Sequence, residues 1–153
     1  MQTFNKRLLI ILFLVGLASD LFGQVKLLTG KVIGAEFRTR KDKTPYEFWD
    51  LHGAKIFWKD SLITTTDEKG NFRIELTQEI DSIRVAWIGM YPDKIRIAEN
   101  CEYIEVILLP DVIYDFVTVG KEERLRKKDR AILPELYKTA YEKGIFKQEE
   151  PCR

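Results

Sequence analysis

Past the first two dozen residues the chain is written in short apolar runs separated by turn residues. Residues 25–33 form the first strand-like stretch, with Gly30 and Gly34 as punctuation. Residues 54–58 and the β-branched stretch 62–66 follow, with turns at 51–53 and 59–61 between them. Phe72-Arg73-Ile74-Glu75-Leu76 alternates apolar and charged positions, the period-two mark of a half-buried strand. The turn before it, Asp67-Glu68-Lys69-Gly70-Asn71, joins a side chain that can bond its own backbone to a glycine that can supply φ > 0. Residues 83–88 place Ile83, Val85 and Trp87 on one face, and residues 94–98 place Ile95 and Ile97 inward. Residues 103–109 place Ile104, Val106 and Leu108 together, and residues 112–119 form the last strand, ended by Gly120. Short strands with turns about every 8–12 residues predict an all-β fold, a seven- or eight-stranded antiparallel β-sandwich. No helix-length pattern interrupts them, which argues against a parallel α/β sheet.

The period changes at either end. After Gly120, Leu125, Ile132, Leu133, Leu136 and Ala140 fall near helical spacing, Pro134 suits the first turn of a helix, and Gly144 suits its end. A broken, short C-terminal helical tail is therefore expected. At the start, Lys6 and Arg7 precede an unbroken apolar run at 8–18 and a more polar stretch ending at Gly23. This is the three-part layout of a secretory signal cleaved before Gln24. Its apolar run is shorter than the about 20 residues of a transmembrane helix. No cysteine follows it to carry a lipid. The expected organisation is signal peptide 1–23, sandwich 24–120 and helical tail 121–153, with no stable transmembrane span once the signal is gone.

Composition narrows the function classes. Of 153 residues, 45% are hydrophobic, enough to bury a core in one domain. The whole chain carries a net charge of +1. Losing Lys6, Arg7 and Asp20 with the signal brings it to zero, so no global field steers it to nucleic acid or anionic membrane. Basic residues crowd 121–130, which reads as a solvated helix face. Two cysteines, Cys101 and Cys152, could pair in an oxidising compartment or stand as separate thiols, and spacing does not decide.

Four stretches together resemble the carboxypeptidase-like regulatory domain, a transthyretin-like (prealbumin-like) sandwich of Gram-negative envelope proteins. They are Leu28-Thr29-Gly30-Lys31-Val32, Gly53-Ala54-Lys55-Ile56, the hairpin from Thr64 through Asp67, Gly70 and Phe72 to Ile74, and the stretch ending Trp87-Ile88-Gly89-Met90-Tyr91. The hairpin, similar to the family's T-x-T-D-x-x-G-x-F, is the specific part. The resemblance covers about residues 26–120. It implies a non-catalytic accessory or protein-interaction module, exported to the periplasm, the outer membrane or the cell surface. In the family the domain often precedes a receptor plug and barrel; only 33 residues follow Gly120 here. The connection between Val32 and Gly53 is longer than the family's usual one.

Catalytic chemistry finds little to stand on. His52 is the only histidine, short of the set a triad or zinc site needs. Asp67, Glu68 and Asn71 offer fewer oxygens than the six to eight that calcium takes. No cofactor and no metal are expected, nor an enzyme. The remaining lead is aromatic. Residues 37–51 read as a long ordered loop, and Tyr46, Phe48 and Trp49 on it are the candidate partner-binding residues. The expected partner is another envelope protein. A glycan stacked on the aromatics of 46–58 is the alternative, and nucleic acid is not expected. Trp58 and Trp87, in strand-like runs, are expected to fill the core.

Overall fold

The computed structural model describes residues 26–37, 46–76, 80–112 and 119–152. The expected signal, the charged loop 38–44 and most of the expected last strand lie outside them. Eight strands are described: β1 (Lys26–Phe37), β2 (Tyr46–Asp50), β3 (Lys55–Trp58), β4 (Ser61–Thr65), β5 (Asn71–Leu76), β6 (Ser82–Ala86), β7 (Asp93–Arg96) and β8 (Tyr103–Leu108). Two helices follow, α1 (Val119–Arg130) and α2 (Leu133–Glu142). The chain is thus mostly β with a short helical C-terminal part, and the helix begins at Val119, before the expected boundary at Gly120.

β1 organises the first sheet. One of its edges is shared end to end by two antiparallel partners, β5 along Lys26–Lys31 and β2 along Ile33–Phe37. The other edge pairs with β8, which runs parallel to it, Thr29 opposite Tyr103 through Gly34 opposite Leu108. That pairing departs from an all-antiparallel sandwich; the other described strand pairings are antiparallel. The second sheet runs β4-β3-β6-β7, with a register shift between Ile56 and Phe57. Gly30 and Gly34 do not interrupt β1. A Cβ on Gly30 would fall well under 3.0 Å from the Ile104 carbonyl and the Phe72 ring, so this glycine lets β8 and β5 close on β1.

The sheets face each other across one apolar layer. Leu28 and Val32 of β1, Phe72 and Ile74 of β5, and Ile104, Val106 and Leu108 of β8 meet Ile56, Ile83, Val85 and Ile95 of the second sheet. Burying each such side chain contributes about 1.5–3 kcal/mol. A second layer covers the back of the first sheet, where Ile33, Ala35, Tyr46, Ile107 and Leu109 pack against Leu136, Tyr137 and Ala140 of α2 and against Phe146. β8 is therefore buried on both faces, and its sequence is a nearly continuous apolar run for that reason. The helical tail is the third layer of the fold.

The chain after α2 is tied down. Gly144, at φ 69°, reverses it, and the Ile145 and Phe146 amides return to the Ala140 carbonyl at 2.9 and 3.2 Å. Phe146 packs on Tyr137 with ring centroids 5.6 Å apart. The next two amides, of Lys147 and Gln148, donate to the two carboxylate oxygens of Glu105, at 2.7 and 3.1 Å. Cys152 then forms a disulfide with Cys101, whose Cα is 5.9 Å away.

The turn 67–71 is built as its residues suggest. Asp67 Oδ1 accepts the amides of Lys69 and Asn71 at 2.9 and 2.7 Å, and Oδ2 accepts the Asn71 side-chain amide at 3.3 Å. These bonds, the Asn71 amide first, hold the Asp67 carboxyl below its ordinary value. Both carboxylate oxygens are thus engaged within the turn. Trp87 is a correction. β6 ends at Ala86, and Trp87 sits 38% exposed in the turn beyond, its indole N–H donating to the His52 carbonyl at 2.8 Å. Trp58 lies half-buried at the end of β3 under the Lys59 ammonium, 4.4 Å from its ring centroid.

Candidate partner-binding surface

Tyr46, Phe48 and Trp49 lie on strand β2, not on a loop. The strand escapes a period-two reading because both of its faces are covered. Its register on β1 sets Tyr46 opposite Phe37, Phe48 opposite Ala35 and Trp49 opposite Gly34. Alternation then sends Tyr46 and Phe48 to the helix side of the sheet and Trp49 to the sandwich side. The three residues cannot share one outward surface.

The helix side is closed by α2. Tyr46 is 8% exposed and belongs to the helix-side core, with Phe48 packed against it. The Tyr46 phenol is held above its usual value by burial first, then by a hydrogen bond to Glu135 and that residue's negative charge. Lys143, just past α2, donates to the Tyr46 carbonyl at 3.4 Å and sets its ammonium 5.2 Å from the Phe48 ring centroid. The aromatic segment singled out as a docking site thus holds the chain's own C-terminal helix. On the sandwich side the Trp49 indole lies over Gly34, where a Cβ would collide with the ring and with Met90.

Separate faces make a quantitative prediction. Phe48→Ala and Trp49→Ala should each destabilise by about 2–3 kcal/mol, below the range for fully buried aromatics because both are half-buried. Their effects should add to within about 0.5 kcal/mol, since they touch different layers. Urea unfolding of the two single variants and the double variant measures this. Strong non-additivity would mean that the two rings share one site.

Glu105 is the residue that sequence reasoning missed. It is 1% exposed in the middle of the apolar run of β8. A carboxylate so buried must be bonded, and its partners are the two amides of the C-terminal strap. Beside it, Tyr137 of α2 accepts the Ile107 amide at 3.1 Å and donates to the Glu105 carbonyl at 3.3 Å. One hydroxyl thereby caps part of the outer edge of β8. The Tyr103 phenol is raised by burial and then by the charge of Glu105, and the Lys147 ammonium stands 4.3 Å from its ring centroid. A lone Glu inside an otherwise apolar strand was the available signal. Its role here is to fasten the tail.

The hairpin residues are knit to the strands around them. Thr66 is buried, its hydroxyl accepting the Ala54 amide at 2.8 Å and donating to the Leu51 carbonyl. Gly70 has φ 72°, and its carbonyl accepts the Val32 amide at 2.8 Å. His52 lies exposed in the turn that Thr66 holds, and among the described residues no group of three or more His, Cys, Asp or Glu is placed to hold a metal ion. No helix of the described residues is long and apolar enough to cross a membrane. A scan against protein-family models finds no match for this chain, and a search of curated proteins finds none either.

Proposed function

We propose that the protein is an exported, non-catalytic accessory module of the bacterial cell envelope that works by binding another envelope protein, built as a transthyretin-like sandwich of the carboxypeptidase-like regulatory kind. The observation that carries this reading is the Cys101–Cys152 disulfide. Such bonds persist in oxidising compartments, in keeping with the signal-like start of the sequence. The resemblance is supported by the work that its residues do. Thr66 pins the 51–54 turn, Asp67 closes its own turn, Gly70 admits the Val32 backbone, and Phe72 fills the space that Gly30 leaves. Periplasm, outer membrane or cell surface is the location this reading implies. The glycan alternative has less to stack on: Tyr46 is buried, and a cation stands over the rings of Phe48, Phe57 and Trp58.

The test is export and partnership together. N-terminal sequencing of the protein from the envelope fraction should begin at or near Gln24, and crosslinking in intact cells should join it to one reproducible envelope protein. A cytoplasmic product that starts at Met1 and crosslinks to nothing would overturn the proposal.

A further inference from the structure

The proposal of an interaction module leaves open which surface binds and what it selects; β2 does not supply it. The outward face of the second sheet does. Along β3, β6 and β7 the positions that alternate with buried Ile56, Ile83, Val85 and Ile95 are Lys55, Phe57, Ser82, Arg84, Ala86, Lys94 and Arg96. Four are cations and none is a carboxylate. The one acid in the four strands of the second sheet, Asp93, is registered opposite buried Val85, on the other face. Lys55, Lys94 and Arg96 are exposed. None of the four has an ion-pair partner among the described residues.

This arrangement costs the isolated chain stability. Arg84 stands directly opposite Lys94 across β6 and β7, and like charges in opposed positions repel. Arg84 is drawn the other way, over the Phe57 ring at 4.2 Å. A single row therefore crosses the sheet from Leu62 through Phe57 and Arg84 to Lys94. At its apolar end lies the edge strand β4, which carries no charge from Ser61 to Thr65 and exposes Leu62 (53%) and Ile63 (37%). The opposite edge, β7, is short and charged, which is how sheets guard their edges. Among the described residues β4 is guarded only by its bulge.

We infer that this face, with the β4 edge, is the docking surface of the module and that its partner is an acidic polypeptide segment. Charge complementarity selects an anion. Two features favour a polypeptide over a lipid headgroup layer: main-chain donors and acceptors on β4 can be paired by an incoming strand, and an arginine on an aromatic ring beside exposed leucine has the make-up of a protein interface core.

The inference rests on the interaction-module reading, and the test keeps the two apart. The purified protein is titrated with poly-L-glutamate and, separately, with phosphatidylglycerol vesicles, at low and at physiological salt. Poly-L-glutamate is expected to bind, and the pair Lys94→Glu, Arg96→Glu to weaken it by about tenfold or more. Lys127→Glu, Lys128→Glu on the exposed side of α1 is the control for bulk charge and should leave binding within about twofold. Because Glu at position 94 replaces the repulsion across from Arg84 by an attraction, the Lys94→Glu, Arg96→Glu pair should itself unfold at the same or higher urea concentration than the parent, so lost binding is not lost folding. Vesicle binding without poly-L-glutamate binding, or equal loss in the α1 control, overturns the inference. Crosslinking to the envelope partner that survives the Lys94→Glu, Arg96→Glu change would overturn this face while leaving the module reading standing.

Discussion

Gly70→Val is expected to cost about 3 kcal/mol or more, among the largest effects of any single substitution outside the apolar core. Two penalties combine. A β-branched residue held at φ 72° is strained by about 1–2 kcal/mol. Its Cβ would also be driven into the Val32 carbonyl, so the chain must shift and weaken the 2.8 Å bond between the Val32 amide and the Gly70 carbonyl, worth about 1 kcal/mol. The two parts separate with alanine. Gly53 and Gly144 have φ of 72° and 69° and open space where a Cβ would point. Gly53→Ala and Gly144→Ala should show strain alone, and Gly70→Ala should exceed both in urea unfolding. Equal costs at the three sites would mean that the approach of β1 to the hairpin contributes nothing.

Breaking the disulfide, by Cys152→Ser with Cys101→Ser, is expected to cost about 4 kcal/mol in the chain-entropy treatment of a 51-residue loop. Against a total stability of about 5–15 kcal/mol that is a large share. The fold should survive, because Glu105, Tyr137 and Phe146 still hold the tail, but it should survive narrowly. Urea unfolding with and without reductant measures the shift. Amide exchange adds a local readout: the Lys147 and Gln148 amides, bonded to Glu105, should exchange sooner in the reduced protein than those of β5. An unchanged midpoint on reduction would mean that the bond constrains little in the unfolded chain.

The parts of the fold legible in the sequence were those whose physics is local. The alternation of Phe72, Ile74 and their charged neighbours declared β5, Asp67 and Gly70 declared their turn, and Pro134 and Gly144 bracketed α2. Alternation carried too far misplaced Trp87, because a turn with Gly89 at φ 78° follows β6 and the indole finds the His52 carbonyl outside the core. β2 was read as a loop because a strand covered on both faces has no alternation to show. The parallel pairing of β1 with β8 had no local signature; the nearest hint was the apolar continuity of residues 104–109, which reflects burial on two sides. The candidate site suffered from the same blindness. Tyr46 and Phe48 pack against α2, about 90 residues further along the same chain, and composition cannot say whether the other half of an aromatic contact lies there or in another protein. The cationic face was invisible for a different reason: Lys55, Arg84, Lys94 and Arg96 are scattered in sequence and become neighbours only through register.

The central place of β1 also dictates an order of assembly. Its antiparallel neighbours arrive with residues 46–50 and 71–76, but its parallel neighbour begins at Tyr103, 74 positions after the Thr29 that it faces. Pairings so distant along the chain delay closure, because the entropy of the intervening loop is lost before the contact rewards it. As the polypeptide emerges from its N-terminal end, β1 presents the open edge meant for β8, and the first sheet lacks its helical cover until residues 133–146 are free. The first sheet therefore stays unfinished until residues 103–108 and 133–146 have followed, and those later segments are the ones that seal it.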